Sequence, residues 1–412
     1  MSFSILLAEP ESVQNLYPFS LLHCAWEVRC GALRLFEKFE KRFPDNPLYF
    51  IGRGSHLQSF IARELPETQA FPTGNLLVVK ATLLLTSGLV RLLESKLHSK
   101  PDTPMIVTSK DSPIAYYLPQ TETVFQPRSC FFEGFAAHPH LQNARSYEVE
   151  ADVISYLWDA IDYNGVAIQD DAQVFDEYEP LQSSPQAGVY VENPDGVLAA
   201  ENCSISPGVV LDATDGPIIL GKNVRIMAQA TLVGPCSIGD NSIVKIGAKI
   251  YPQTSIGPWC KVGGEVENSI LQSYSNKQHD GFLGHSYIGE WVNLGADTNT
   301  SDLKNTYGNI SVLLNSAKVD TGSMYLGLLC GDHSKSGIST MFSTGTVAGI
   351  FANIFGTGYK PTEIPSFTWG DNQDRYILDK AIEVACTVMK RRNCVPTEEE
   401  IELWKTVYHS IS

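Results

Sequence analysis

Aliphatic residues recur at every sixth position through the middle of the chain: Leu220, Ile226, Leu232, Ile238, Val244, Ile250, Ile256 and Val262. A period of six matches neither the 3.6 of a helix nor the 2 of an ordinary strand. It predicts a hexapeptide-repeat β-helix, in which each repeat supplies one short strand and one corner. The aliphatic side chain points inward and stacks on its counterparts, so the repeats bury a core only together. The register starts near Ile205 and Leu211, breaks over 212–217 and then runs to Val262. The spacing predicts an excursion over 268–282 and a resumption at Ile288 and Leu294. A looser continuation follows through Leu326, Ile338 and Ile350, with a second loop at 302–309.

Before the repeat, the pattern alternates between strand-like and helix-like segments. Strands are predicted at 3–8, 48–52, 76–80 and 105–108, and helices at 30–42, 88–97 and 148–161. Such alternation predicts an α/β domain with a mainly parallel sheet. Gln182-Ser183-Ser184-Pro185-Gln186 has linker composition. After the repeat, 375–392 is amphipathic, and Thr397 with Glu400 forms a capping-box signature for a last helix. These two helices are expected to cover the open end of the β-helix or a neighbouring subunit. The organisation is therefore an α/β domain over 1–185, a β-helix over 186–358 and a helical extension over 359–412.

Composition narrows the function classes. A net charge of -16 argues against a nucleic-acid surface or an anionic membrane. No apolar run is long enough for a membrane span, and 1–18 lacks the pattern of a signal peptide. The nine cysteines are scattered without a CxxC pair, which predicts free thiols and a cytoplasmic protein.

Polar residues concentrate where the repeat breaks. Lys277 is a candidate phosphate ligand, Asn293 a candidate hydrogen-bonding partner for a sugar, and His279 a candidate base, since imidazole titrates near neutral pH. His279, His285 and His333 lack the spacing of a three-histidine zinc site, so no metal ligand is assigned.

The run His279, Leu283-Gly284, Ile288-Gly289 and Asn293-Leu294-Gly295-Ala296 resembles the acyltransferase half of the GlmU family. That family joins an N-acetylglucosamine-1-phosphate uridylyltransferase to a glucosamine-1-phosphate acetyltransferase. The resemblance implies a left-handed parallel β-helix assembled as a homotrimer, with substrate sites between subunits. It implies His279 as general base, Asn293 on the amino sugar and Ala296 against acetyl-CoA. Phe282 stands where the family has a substrate-facing Tyr, and Asp302 where it has an Asn. Thr344 and Gly345 resemble the acyl-CoA edge more loosely.

The first half resembles the family's divergent nucleotidyltransferase-like branch through Leu16-Tyr17-Pro18-Phe19 and Arg29-Cys30-Gly31-Ala32-Leu33, which makes Arg29 a candidate phosphate ligand. The first strand runs into Glu9-Pro10-Glu11-Ser12, without glycine and with two carboxylates, a poor cradle for a triphosphate. No Gly-Asp pair ends a strand to position Mg²⁺, so Mg²⁺ enters only if this half is active. The expected function is acetyl transfer from acetyl-CoA to an amino sugar phosphate or nucleotide-linked amino sugar. The alternatives are a sugar-1-phosphate nucleotidyltransferase and a non-catalytic trimer that binds a nucleotide sugar.

Overall fold

The computed structural model describes all residues except 1–2, 66–73, 100–101, 122–128, 176–177, 182–186, 316, 372–373 and 412. The predicted linker lies outside the described residues.

Six strands form the first sheet: β1 (Ser4–Ala8), β2 (Leu48–Ile51), β3 (Gly74–Lys80), β4 (Met105–Ser109), β5 (Ser112–Thr121) and β6 (Arg145–Glu148). Their order is 2-1-3-5-4-6. β1 pairs parallel with β2 and β3, and β4 with β6, while β5 runs antiparallel to β3 and β4. The sheet is thus mixed, because β5 follows β4 through a tight turn at Lys110 and Asp111, both at positive φ. The helices are α1 (Leu35–Arg42), α2 (Gly54–Glu64), α3 (Ser87–Ser99), α4 (Leu157–Asp162) and α5 (Asn164–Asp171). Helix α1 starts five residues later than its periodicity suggests. Gly31 sits at φ +87, where an L side chain is strained, and a Cβ there would lie 2.4 Å from Asp171 Oδ2. The segment 148–156 is extended rather than helical up to α4.

Beyond this domain the chain winds a left-handed parallel β-helix. Ile218 pairs with Cys236, and Cys236 with Thr254, a spacing of 18 that is three hexapeptides per coil. Three faces result. The docking face carries Leu220, Ile238, Ile256, Leu271, Ile288, Cys330 and Ala348 inward. A second face carries Leu211, Leu232, Ile250, Val266 and Leu283. A third carries Ile205, Ile226, Val244, Val262 and Lys277.

Two expectations change here. Residues 268–282 do not leave the β-helix: Ser255 pairs with Ile270 and Ile270 with Tyr287, so coils of 15 and 17 residues hide the period without breaking the winding. The true excursion comes later, since Tyr287 pairs with Leu329. It carries an antiparallel hairpin, Ser311–Leu314 with Ala317–Asp320. After it the inward positions are Cys330, Ser336, Phe342, Ala348 and Ile354, again six apart. Ile338 is off this register and 78% exposed.

The outward side of the docking face is apolar as well. Ile270, Tyr287, Leu329 and Val347 join the same core as Leu7, Trp26, Leu157 and Ile161 of the first domain, so the two domains share one core. Tyr287 Oη accepts hydrogen bonds from Arg29 N (3.0 Å) and Gln272 Nε2 (2.9 Å) at this junction.

Helices α6 (Leu378–Lys390) and α7 (Glu398–Ser410) follow, with Thr397 and Glu400 closing the expected capping box on α7. They do not cap the end of the prism. They lie along one corner, against Trp291, Ile350, Phe351 and Phe367, and α7 also meets α2.

Candidate functional site

His279 is exposed at the corner between the third and second faces, in the turn from Asn276–Lys277 to Phe282–Gly284. The turn of the preceding coil is short. Two residues, Gly263 and Gly264, join Val262 to Glu265, whereas four join Val244 to Lys249 and four join Lys277 to Phe282. His279 therefore borders a trimmed corner. Gly264 has φ +70, and a Cβ on it would sit 2.9 Å from His279 O and 2.8 Å from Gly281 O.

The next coil brings Ala296 to the same corner: Asp297 N donates to Asp280 O (3.0 Å), and Ser339 N donates to Ala296 O (2.8 Å). Ile246 (61% exposed) and Ile338 (78%) flank this corner with apolar side chains. Asn293 lies on the third face, bridged to Asn276 and Lys335. The neighbouring Asn276 Oδ1 accepts from Arg392 Nη2 at the end of α6 (3.1 Å).

Lys277, expected to face a phosphate, takes an inward position instead. Its Nζ donates to His279 O (2.7 Å) and Gly263 O (3.3 Å) beneath the short corner. Burial pulls its pKa down to about 8, against the opposing pull of Asp280 and Asp297. Phe282 folds its ring over Gly284, where an added Cβ would meet Cζ at 2.6 Å and Asp302 Oδ2 at 2.2 Å.

Asp302 does not reach toward His279; it pairs with His285. With Nδ1–H donating to Asp302 Oδ2 (2.8 Å), His285 Nε2 accepts from Asn268 Nδ2 (2.9 Å), and the ring stacks on Tyr325. The sequence left His285 without a role because both partners come from other coils.

Thr344 Oγ1 meets Ser301 Oγ (2.8 Å), while Gly345 is packed under the excursion, with Ile310 Cγ2 2.7 Å from where its Cβ would be. Arg29 belongs elsewhere. It is buried at the domain junction, its Nη1 donates to Ala32 O, and it lines a cavity of about 380 Å³ with Glu37, Lys41, Lys222 and Asp240. A second junction cavity, about 480 Å³, is lined by Arg34, Trp259, Tyr274 and Trp291.

At the end of β1, Glu9 is buried and tied up by cationic and backbone donors. Both its carboxylate oxygens accept from the Arg53 guanidinium (2.9 and 3.0 Å), and Oε1 also accepts from Ala25 N (2.9 Å).

The chain is similar to GlmU proteins over part of its length. Residues 5–178 match the sugar nucleotidyl transferase family model. The chain is 28% identical over 126 residues to the bifunctional protein GlmU of Synechococcus sp. strain CC9311, 30% of this chain and 26% of that one. To the uncharacterized acetyltransferase YaiX of Escherichia coli O6:K15:H31 it is 26% identical over 149 residues, 36% of this chain and 65% of that one. Each match spans less than two thirds of the relative's own length. Among solved structures, Arabidopsis UDP-N-acetylglucosamine acyltransferase aligns at 11% identity and TM-score 0.30, over 51% of this chain and 80% of that one. No helix among the described residues is long and apolar enough to cross a membrane.

The junction also holds a buried charge cluster that sequence reasoning missed. His23 lies between Glu27 Oε2 (3.1 Å) and Asp332 Oδ2 (2.6 Å), and Arg63 Nη2 donates to Glu27 Oε2 (2.6 Å). Burial alone would lower the His23 pKa, but Asp332 and Glu27 outweigh it and hold the imidazole at about 10. No local pattern signals the cluster, because His23 and Asp332 are 309 positions apart.

Proposed function

We propose that this chain is a transferase that moves the acetyl group of acetyl-CoA to the amine of an amino sugar phosphate or nucleotide-linked amino sugar. The observation that carries the reading is the corner where exposed His279 borders a turn shortened by two residues and stacks next to the coil of Ala296. The similarity to GlmU proteins and to an acetyltransferase supports the same reading.

In the proposed step, His279 takes a proton from the sugar amine as its nitrogen attacks the thioester carbon. The tetrahedral oxyanion collapses, the C–S bond breaks, and the CoA thiolate takes a proton from the imidazolium. Backbone N–H groups of the coil turns are the available donors to the oxyanion. Asn293 is the proposed sugar contact. Phe282 gives an apolar wall where a Tyr would donate a hydrogen bond, so the acceptor is one that does not need it. Ala296 and Thr344 are assigned to the acyl-CoA edge. Lys277 acts from below, by fixing the His279 carbonyl, rather than on a phosphate.

The flanking Ile246 and Ile338 support a second copy of the chain closing over this corner, which is the proposed homotrimer.

The test is thiol release from acetyl-CoA with a panel of amino sugar phosphates and nucleotide-linked amino sugars, each product weighed by mass spectrometry. Turnover with one acceptor class, adding one acetyl group, is expected. Thiol release that no acceptor raises above hydrolysis overturns the reading.

A second reading concerns the first domain: it binds a nucleotide sugar without transferring a nucleotidyl group. The Glu9–Arg53 pair at the end of β1 favours it, since a carboxylate stands where phosphate oxygens need N–H donors. Arg29 at the 380 Å³ cavity is the proposed anion contact. Mg²⁺-dependent nucleotide turnover would contradict this reading, and calorimetric binding of a nucleotide sugar that Arg29→Ala weakens would support it.

A further inference from the structure

We propose that His23, Glu290 and Asp332 hold a divalent transition-metal ion that pins the first domain to two successive coils of the β-helix. The donor atoms of these three residues all lie within 4.8 Å of one another. They reach the point from separate parts of the chain. His23 comes from the loop ahead of α1. Glu290 and Asp332 stand on adjacent corners, where His333 N donates to Glu290 O (2.9 Å) and Glu290 N donates to Asp332 Oδ1 (3.0 Å).

Four features fit an ion rather than three incidental side chains. First, the cluster surrounds a cavity of about 10 Å³, on the scale of one water or one ion. Second, His333 lines that cavity, is 4% exposed, and its Nδ1 has no hydrogen-bond partner, so an unsatisfied buried nitrogen borders the site without belonging to the three-residue cluster. Third, Glu27 accepts from His23 Nδ1 and is itself held by Arg63, which fixes the tautomer and leaves Nε2 for a metal. That carboxylate–histidine arrangement is the usual outer support of a metal-ligating histidine. Fourth, carboxylates outnumber cations: Glu27, Glu290, Asp332 and Glu400 stand against Arg63, Arg34 and the imidazole. One imidazole and two carboxylates suit the zinc, manganese or iron class rather than calcium or magnesium. On binding, the ion replaces the proton shared between His23 Nε2 and Asp332, which leaves to solvent.

The site touches neither His279 nor the trimmed corner, so it stands or falls apart from acetyl transfer. The full-length chain, stripped with a chelator, is titrated with Co²⁺ and with Zn²⁺. The proposal expects visible d–d bands that saturate at one Co²⁺ per chain, bleaching by one Zn²⁺, and a melting temperature raised by stoichiometric Zn²⁺. Glu290→Gln, at a half-buried position, is expected to lower Co²⁺ affinity at least 10-fold while circular dichroism stays native. A folded wild-type chain that gives no d–d bands and no Zn²⁺-dependent melting shift overturns the proposal, and so do bands that Glu290→Gln leaves unchanged. In either case His23 holds the junction as a protonated imidazole.

Discussion

Gly264 and Lys277 together set the position of His279. Gly264 lies at φ +70, a region that costs an L residue about 1–2 kcal/mol, and its Cβ would press on the carbonyls of Gly281 and His279. Gly264→Ala should therefore destabilise the chain by at least that amount in denaturant unfolding and lower acetyl transfer more than Ile246→Ala does. Lys277 makes a pH prediction. Its ammonium binds a proton only below about 8 in the folded chain, but to about 10.4 when unfolded. Between those values the unfolded chain binds more protons, so stability rises with pH across the window. Lys335, lowered to about 8 by burial, acts in the same direction. Lys277→Met should remove one of these two contributions, flattening the rise in unfolding free energy between pH 8 and 10. Tyr287→Phe should cost about 1–3 kcal/mol, because it leaves the buried Arg29 N–H without its acceptor and Gln272 Nε2 with only the Glu27 carbonyl.

Among the elements, the corner covered by α6 and α7 shows how one column of the β-helix tolerates strained residues. Asn223 and Asn241 occupy this corner at positive φ, and Asn suits that conformation. Higher up the corner become Trp259, Tyr274, Trp291, His333, Phe351 and Phe367, all near φ +60. Their rings stack in a column: Tyr274 and Trp291 at 4.1 Å, His333 and Phe351 at 4.5 Å, Phe351 and Phe367 at 5.0 Å. Aromatic pairing and burial under Trp404 offset the left-handed cost. Phe351→Ala should cost about 3–5 kcal/mol and loosen α7, measurable as faster amide exchange in Glu398–Ser410. The stretch up to Val262 was legible because its inward residues are aliphatic and six apart. The later coils were not. Lys277, Cys330, Ser336 and Ala348 take inward positions without looking like repeats, and coils of 15 and 17 residues shift the phase. The placement of α6 and α7 was hidden for a related reason, since the column they cover is spread over six separate corners.

For the whole molecule, the decisive feature is a core that crosses from the first domain to the outward side of the docking face. Burial of Ile270, Tyr287, Leu329 and Val347 against Leu157 and Ile161 leaves neither domain with a water-ready surface of its own. Calorimetry should accordingly show both domains unfolding in one transition; two separable transitions would place the boundary of cooperativity between them. His279 was singled out by the motif alone, and its setting came only from the coils stacked around it. Its own place in the account rests on one comparison: the kcat for acetyl transfer in His279→Ala beside His285→Ala, with the best acceptor found. The account predicts a loss of at least 100-fold in kcat for His279→Ala, the usual scale of a positioned base, and a smaller loss for His285→Ala. Turnover that survives in His279→Ala but collapses in His285→Ala would contradict it and move the base to the His285–Asp302 pair.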